Sequence, residues 1–412
     1  MEKYVMQISN RIKSKSLFSL KKIRLKCDGY IIKLFTFFSK YFLKRNTILF
    51  ESFPDFDGSP WMIYNELIKR GYNQKYKLIW LVDKEYKRDD VLYKRFFKEN
   101  NLRQILRDIW IRSKAKVIID SNRYVYKINP KTFRLHTRHG GTLKSVPRYS
   151  KAINNVDYIL SLSDEMAEIE YQRMYNGSNV TPQTFLIYGY PNNDRLFNSI
   201  NSNTKKFFDK EIKKGQHFDK IIGWMPTYRN HRKREKEHSS QDFPFGLPLL
   251  YQPNDLSVLN DLLHNKNILL VIKIHHAQLL YFPKTNFSNI ITLSQDKQTI
   301  PMMDLIKSFD ALITDYSSIY HEYLLLDRPI ALAIDDFETY SKNVGFWYDY
   351  FDWIKGVYLK NISDLLHFVE EFSNGYDSAQ KEREAIKHRI HKYIDNQSTK
   401  RVVDFLVEKA KL

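Results

Sequence analysis

Short apolar runs recur along the chain from Thr47 to Ile334, separated by longer stretches whose apolar residues fall at helical spacing. Lys77–Val82, Lys116–Asp120, Ile290–Leu293 and Ala311–Thr314 are rich in Ile, Val and Leu, the pattern of strands buried on both faces. The spacing predicts further strands over Thr47–Phe53, Arg134–Arg138, Val156–Leu162 and Phe185–Tyr188 in a first series. A second series adds Ile221–Met225, Ile268–Ile274 and Pro329–Ile334. Helices are expected between them, for example over Pro60–Arg70, Asp89–Glu99 and Ile319–Leu326. Such alternation implies parallel sheets with helices on both faces. Two series predict two doubly wound α/β domains facing a cleft, with ligands beyond the carboxyl ends of the strands. The polar stretch Asn201–Asp219 is the expected connection, and His231–Gln241 an expected charged loop.

A different pattern precedes the first strand. Leu20, Ile23, Cys27, Leu34 and Tyr41 recur at helical spacing, while Lys22, Lys26, Lys33 and Lys40 fall on another face. A basic amphipathic helix of this kind suits the headgroup region of an anionic membrane, or docks on the protein's own body. Lys33 and Lys40 interrupt the apolar stretch, so it does not read as a signal peptide, and no run reaches the roughly 18 residues of a membrane span. The expected organisation is a membrane-associating segment over 1–46, a first domain over 47–205 and a second over 206–412.

Composition narrows the function. At 412 residues with 43% hydrophobic content, the chain has material for two real cores. A net charge of +19 predicts an anionic partner. One cysteine, Cys27, excludes a disulfide framework and fits a reducing compartment. No nucleic-acid-binding module is recognisable, and nucleic acid is not an expected partner.

The candidate chemistry lies at predicted strand ends. Arg138-His139-Gly140-Gly141-Thr142-Leu143-Lys144 offers a histidine suited to proton transfer near neutral pH, beside glycines that let a substrate approach the backbone. Gly189-Tyr190-Pro191-Asn192-Asn193-Asp194 reads as a turn. Thr227 and Arg229 offer a hydroxyl and a guanidinium to phosphate. Lys273 and His275 share a face at the end of one strand, with His276 on the other. Asp315-Tyr316-Ser317-Ser318 leads into a helix, where hydroxyls and free backbone N–H groups favour an anion. These groups describe a pocket for a phosphoanhydride. No carboxylate partners stand at ligand spacing beside the histidines, so neither a metal site nor a cofactor is expected.

The ordered series HGGTLK, GYPNND, MPTYR, KIHH and DYSS with Arg328-Pro329 downstream resembles the CDP-glycerol glycerophosphotransferases of teichoic-acid and capsular-polymer synthesis. The likeness runs from about Thr47 to Asp349. It implies a GT-B-like fold of two Rossmann-type domains at the cytoplasmic membrane face, working without metal. By the family pattern His139 would be the base that activates the acceptor hydroxyl. His275 would bind the diphosphate and assist departure of CMP. Ser317 and Ser318 would hold phosphate, and Glu322, where the family usually has Asp, would contact the ribose. Thr227, Arg229, Lys273 and Asp315 are further donor-side candidates; Gly140, Gly141, Lys144, Asn193 and Asp194 are acceptor-side or loop positions. The implied partners are CDP-glycerol or a related CDP-alditol, a lipid-linked saccharide or polymer acceptor and an anionic membrane, with homo-oligomerisation left open. Arg138 stands where the family has Trp, Thr142 and His276 where it has Pro, Asn192 where Arg is common, and Val344 where an Arg commonly precedes Gly-Phe. These departures leave the two histidines intact and bear on which alditol is transferred.

Overall fold

The computed structural model describes residues 45–95, 102–123, 125–145, 155–200, 202–212, 216–227, 245–273, 287–293 and 300–412, with Phe37 and Ile153 besides. Within these, the strands form two parallel sheets. The first runs edge to edge as β3 (Tyr93–Arg95), β2 (Lys77–Val82), β1 (Thr47–Phe50), β4 (Ala115–Asp120), β5 (Phe133–His136), β6 (Tyr158–Ser161) and β7 (Phe185–Ile187). The second runs β10 (Ile290–Leu293), β9 (Ile268–Lys273), β8 (Lys220–Trp224), β11 (Ala311–Thr314), β12 (Ile330–Ala333) and β13 (Val357–Leu359). The strand order reverses between β1 and β4 and again between β8 and β11. This is the expected doubly wound pair, a GT-B-like fold.

Side-chain alternation explains why both faces are covered. Ile48, Phe50, Trp80 and Val117 point to one face of the first sheet, and Leu49, Ile79, Leu81 and Ile118 to the other. In the second sheet Leu269, Val271, Leu312 and Leu332 oppose Ile222, Trp224, Leu270 and Ile313 in the same way. Gly223, mid-strand in β8, makes room for the Phe309 ring: a Cβ there would lie 2.0 Å from it.

The structure departs from the expected elements in three places. Asp89–Glu99 was expected to be helical, but Tyr93–Arg95 is an edge strand paired with Trp80–Val82. Its Tyr93 ring joins Phe56 and Tyr86, so tertiary packing overrides the local pattern. The polar connection holds a helix, Ser202–Glu211, which buries Phe207 and Phe208. The last helix, Ser398–Lys409, packs against Gly58–Lys69 beside the first sheet, although it ends the stretch read as the second domain. Phe405 meets the Tyr158 ring there at 4.9 Å. Apart from Phe37, the amphipathic stretch over 17–43 lies outside the described residues, as do the charged loop, Arg229, His275 and His276. Among the described residues no helix is long and apolar enough to cross a membrane.

Candidate active site

β5 ends at His136, and the chain passes through Thr137, Arg138 and His139 into Gly140 and Gly141. Asp120, the last residue of β4, organises this exit. Its carboxylate accepts hydrogen bonds from His136 Nδ1 at 2.7 Å, Arg134 Nε at 2.9 Å and the Val125 backbone N–H at 2.8 Å. Burial opposes the charge on Asp120, but Arg134 and His136 together hold its carboxyl below the usual range. Because the carboxylate can only accept, the proton between the two sits on His136 Nδ1.

Arg138 has φ 59°, a left-handed backbone that costs a non-glycine residue about 1 kcal/mol. The guanidinium is buried within the first domain, whereas His139 is exposed to the cleft. Desolvation, with the charges of Arg138 and His136, pushes the imidazole down to about 4. The Ser121 backbone carbonyl acts in the opposite direction. His139 is therefore neutral at pH 7, the form that accepts a proton.

Glu51 holds the loop that carries Ser121. Its Oε2 accepts from the backbone N–H groups of Ser121, Asn122 and Arg123 at 3.3, 3.2 and 2.9 Å. Burial raises the Glu51 carboxyl to about 7, against the Arg123 N–H, and Asp120 adds to the rise.

The second domain closes over the His139 loop. Gly141 N–H donates to Glu322 Oε1 at 3.3 Å, and a Cβ on Gly141 would lie 2.3 Å from His321 Nδ1, so only glycine fits. Lys144 and Phe346 form an antiparallel bridge, and the Tyr348 hydroxyl donates to the Thr142 carbonyl at 2.6 Å. A cavity of about 240 Å³ remains between the domains, lined by His139, Gly140, Gly141 and Lys144 on one side and Ser318 and Trp347 on the other.

Along the carboxyl edge of the second sheet, Asp315 accepts from the Thr227 N–H at 2.9 and 2.8 Å and from the Tyr316 N–H at 2.6 Å. Asp315 thus ties the end of β8 to the end of β11 at the switch point. Ser317 and Ser318 precede the short helix Ile319–Leu324. Lys273 ends β9 half-buried, and burial lowers its pKa. Among the described residues, no group of three or more His, Cys, Asp or Glu side chains is placed to hold a metal ion.

The model of the CDP-Glycerol:Poly(glycerophosphate) glycerophosphotransferase family matches residues 33–408. The chain belongs to that family. A teichoic acid poly(glycerol phosphate) polymerase of Bacillus spizizenii is 27% identical over 385 residues, 86% of this chain and 91% of the relative. A teichoic acid ribitol-phosphate primase of the same organism is 29% identical over 154 residues, 37% of this chain and 38% of the relative. A solved structure of a wall teichoic acid polymerase superposes with a TM-score of 0.70 at 21% identity, over 96% of this chain and 97% of that one. The protein is thus a glycerophosphotransferase-family enzyme with a GT-B-like fold.

Not every motif position of this family member lies at the cavity. Asp194 accepts from the backbone N–H groups of Ser398 and Thr399 at 3.0 and 2.8 Å, capping the last helix. Asn193 is buried beside it, in the turn Pro191–Phe197. Glu322, implied as a ribose contact, is buried and spends one oxygen on the Gly141 N–H. Glu51, Asp120 and Tyr348 lie outside the candidate residues that the motifs mark. A carboxylate ending an apolar strand was the available signal for the first two, since ligands gather at such ends. Nothing local marks Tyr348, whose bond partner lies 206 residues away.

Proposed function

We propose that the protein transfers glycerol phosphate, or another alditol phosphate such as ribitol phosphate, from its CDP carrier to a hydroxyl of a lipid-linked saccharide or growing polymer. The observation that carries this reading is His139, neutral and facing a cavity that Gly140 and Gly141 open and Ser318 of the other domain closes. In the proposed reaction the acceptor hydroxyl gives its proton to His139, and its oxygen attacks the phosphorus attached to the alditol. The bond from that phosphorus to the bridging oxygen breaks, and CMP leaves with the electron pair. Negative charge spreads over the transferring group and CMP, which basic groups and backbone N–H donors stabilise. Lys273, Thr227, Ser317 and Ser318, with Arg229 and His275 beyond the described residues, are the proposed donor-side contacts. Family members named for glycerol phosphate and for ribitol phosphate both match, which supports the alditol-phosphate class.

The first domain is the proposed acceptor side and the second the proposed donor side. Attachment to the cytoplasmic membrane face through the basic N-terminal segment would bring the cleft to a lipid-linked acceptor. A donor screen tests the reading: purified protein against CDP-glycerol, CDP-ribitol and common UDP-sugars, scored by free nucleotide. CMP release from a CDP-alditol is expected; UDP release alone would mean a sugar-nucleotide glycosyltransferase on the same fold.

A further inference from the structure

The loop that carries His139 is gripped from behind by three buried polar side chains. Arg138 Nη1 lies 3.2 Å from Glu170 Oε1, and Nη2 donates to the Thr142 hydroxyl. That hydroxyl in turn donates to Glu170 Oε1 at 2.7 Å, so the three close a ring. All three are buried, and Arg138 also reaches the Tyr175 hydroxyl at 3.5 Å and Met174 Sδ at 3.7 Å. Glu170 begins a single π-helical turn, Glu170–Met174, a rare widening that recurs at functional sites. Arg138, Thr142, Met174 and Tyr175 all line the same cavity as His139. A buried ion pair adds little stability over an apolar replacement of the same shape, so stability alone does not account for the ring.

We propose that Arg138, clamped by Glu170 and Thr142, is the positioning residue for His139: it fixes the loop that presents the imidazole and sets a positive charge beside it. The inference rests on the reading of His139 as the base. With Arg138 anchored in the first domain and the Thr142 carbonyl taken by Tyr348 of the second, the loop is held at both ends of one residue stretch. The other groups facing His139 and its loop are His136 with Asp120 and Arg134 behind it, the Ser121 carbonyl, Lys144, and Glu322 and His321 across the cleft. Glu170 pairs with the guanidinium at 3.2 Å, and of the charges acting on the imidazole that of Arg138 lowers its pKa most.

The test combines turnover with an NMR titration of the histidine ring protons in the full-length protein, the His139 signal being assigned from its loss in H139Q. R138M removes the charge and the clamp: it is expected to raise the His139 pKa by about one unit and to lower kcat at least about tenfold, with donor KM within about twofold. R138K keeps the charge without the fork; it should leave the titration in place and still lower kcat about tenfold. T142V removes only the bridging hydroxyl, and should lower kcat several-fold with the titration unmoved. The proposal is overturned if folded R138M keeps wild-type kcat or an unmoved His139 titration. Should R138M fail to fold, wild-type kcat in R138K and T142V overturns it instead. Normal turnover in H139A would sink the base reading alone, because the titration shift in R138M still reports whether Arg138 acts on His139.

Discussion

Glu322 and Gly141 meet across the cleft, the buried carboxyl of one accepting the backbone N–H of the other at 3.3 Å. This bond joins the helix after Ser317-Ser318 to the loop after His139, so the two halves of the proposed site are registered by a direct contact. Burial raises the Glu322 carboxyl to about 7, against the Gly141 N–H. The contact therefore carries a proton at mildly acidic pH that the unfolded chain would release.

Stability should reflect that proton. Because the folded pKa lies above the unfolded one, the contribution is fully present below about pH 4.5 and is lost as pH rises to about 7. Thermal melts from pH 4.5 to 8 should show Glu322→Gln gaining on wild type across that window, by on the order of 3 kcal/mol at its upper end. Parallel curves for the two proteins would refute the raised carboxyl.

Removing the proposed base should abolish chemistry and spare the fold. His139→Ala is expected to lower CMP release about 10²–10⁴-fold, with a melting temperature near that of wild type, since the ring faces the cleft rather than a core. Near-normal turnover with the preferred donor would remove His139 from the reaction.

Gly141 tests domain closure. A Cβ there meets His321 Nδ1 at 2.3 Å, so Gly141→Ala should wedge the domains apart, costing about 1–3 kcal/mol and most of the turnover. The double variant G141A/H321A relieves the clash and should regain part of both. A single variant as active and stable as wild type would mean that the two domains do not close as described.

Asp194 should matter for stability and not for catalysis. Asp194→Ala frees the Ser398 and Thr399 N–H groups, and the loss expected for a helix cap is about 1–2 kcal/mol. Turnover per folded molecule should stay within about twofold. A large fall in kcat without a change in melting temperature would place this motif in the reaction after all.

Deleting residues 1–45 tests the proposed membrane attachment, since β1 begins at Thr47. Sedimentation with anionic vesicles should fall sharply, because lysines near such a surface contribute about 1 kcal/mol each, while the melting temperature is kept. A large drop in melting temperature with unchanged vesicle binding would mean that the segment braces the catalytic body instead.

Elements that depend on local pattern were legible in the chain. Ile290–Leu293 and Ala311–Thr314 are strands at the expected residues, because a parallel strand buried on both faces must be a continuous apolar run wherever it sits. The same holds for the placement of His139, Ser318 and Asp315 just beyond strand ends. Tyr93–Arg95 was not legible: three residues with two charges carry no periodicity, and only pairing with Trp80–Val82 makes them a strand. Nor could the chain by itself say that Arg138 would meet Glu170, that Glu51 would hold the Ser121 loop, or that Asp194 would cap a helix 204 residues on. Alternation and helical spacing determine which face of an element is buried, because desolvation acts on each residue where it stands. Which charges then share a buried volume was decided by the topology alone, since hydrogen-bond partners inside a core are selected by distance in space and not by separation along the chain.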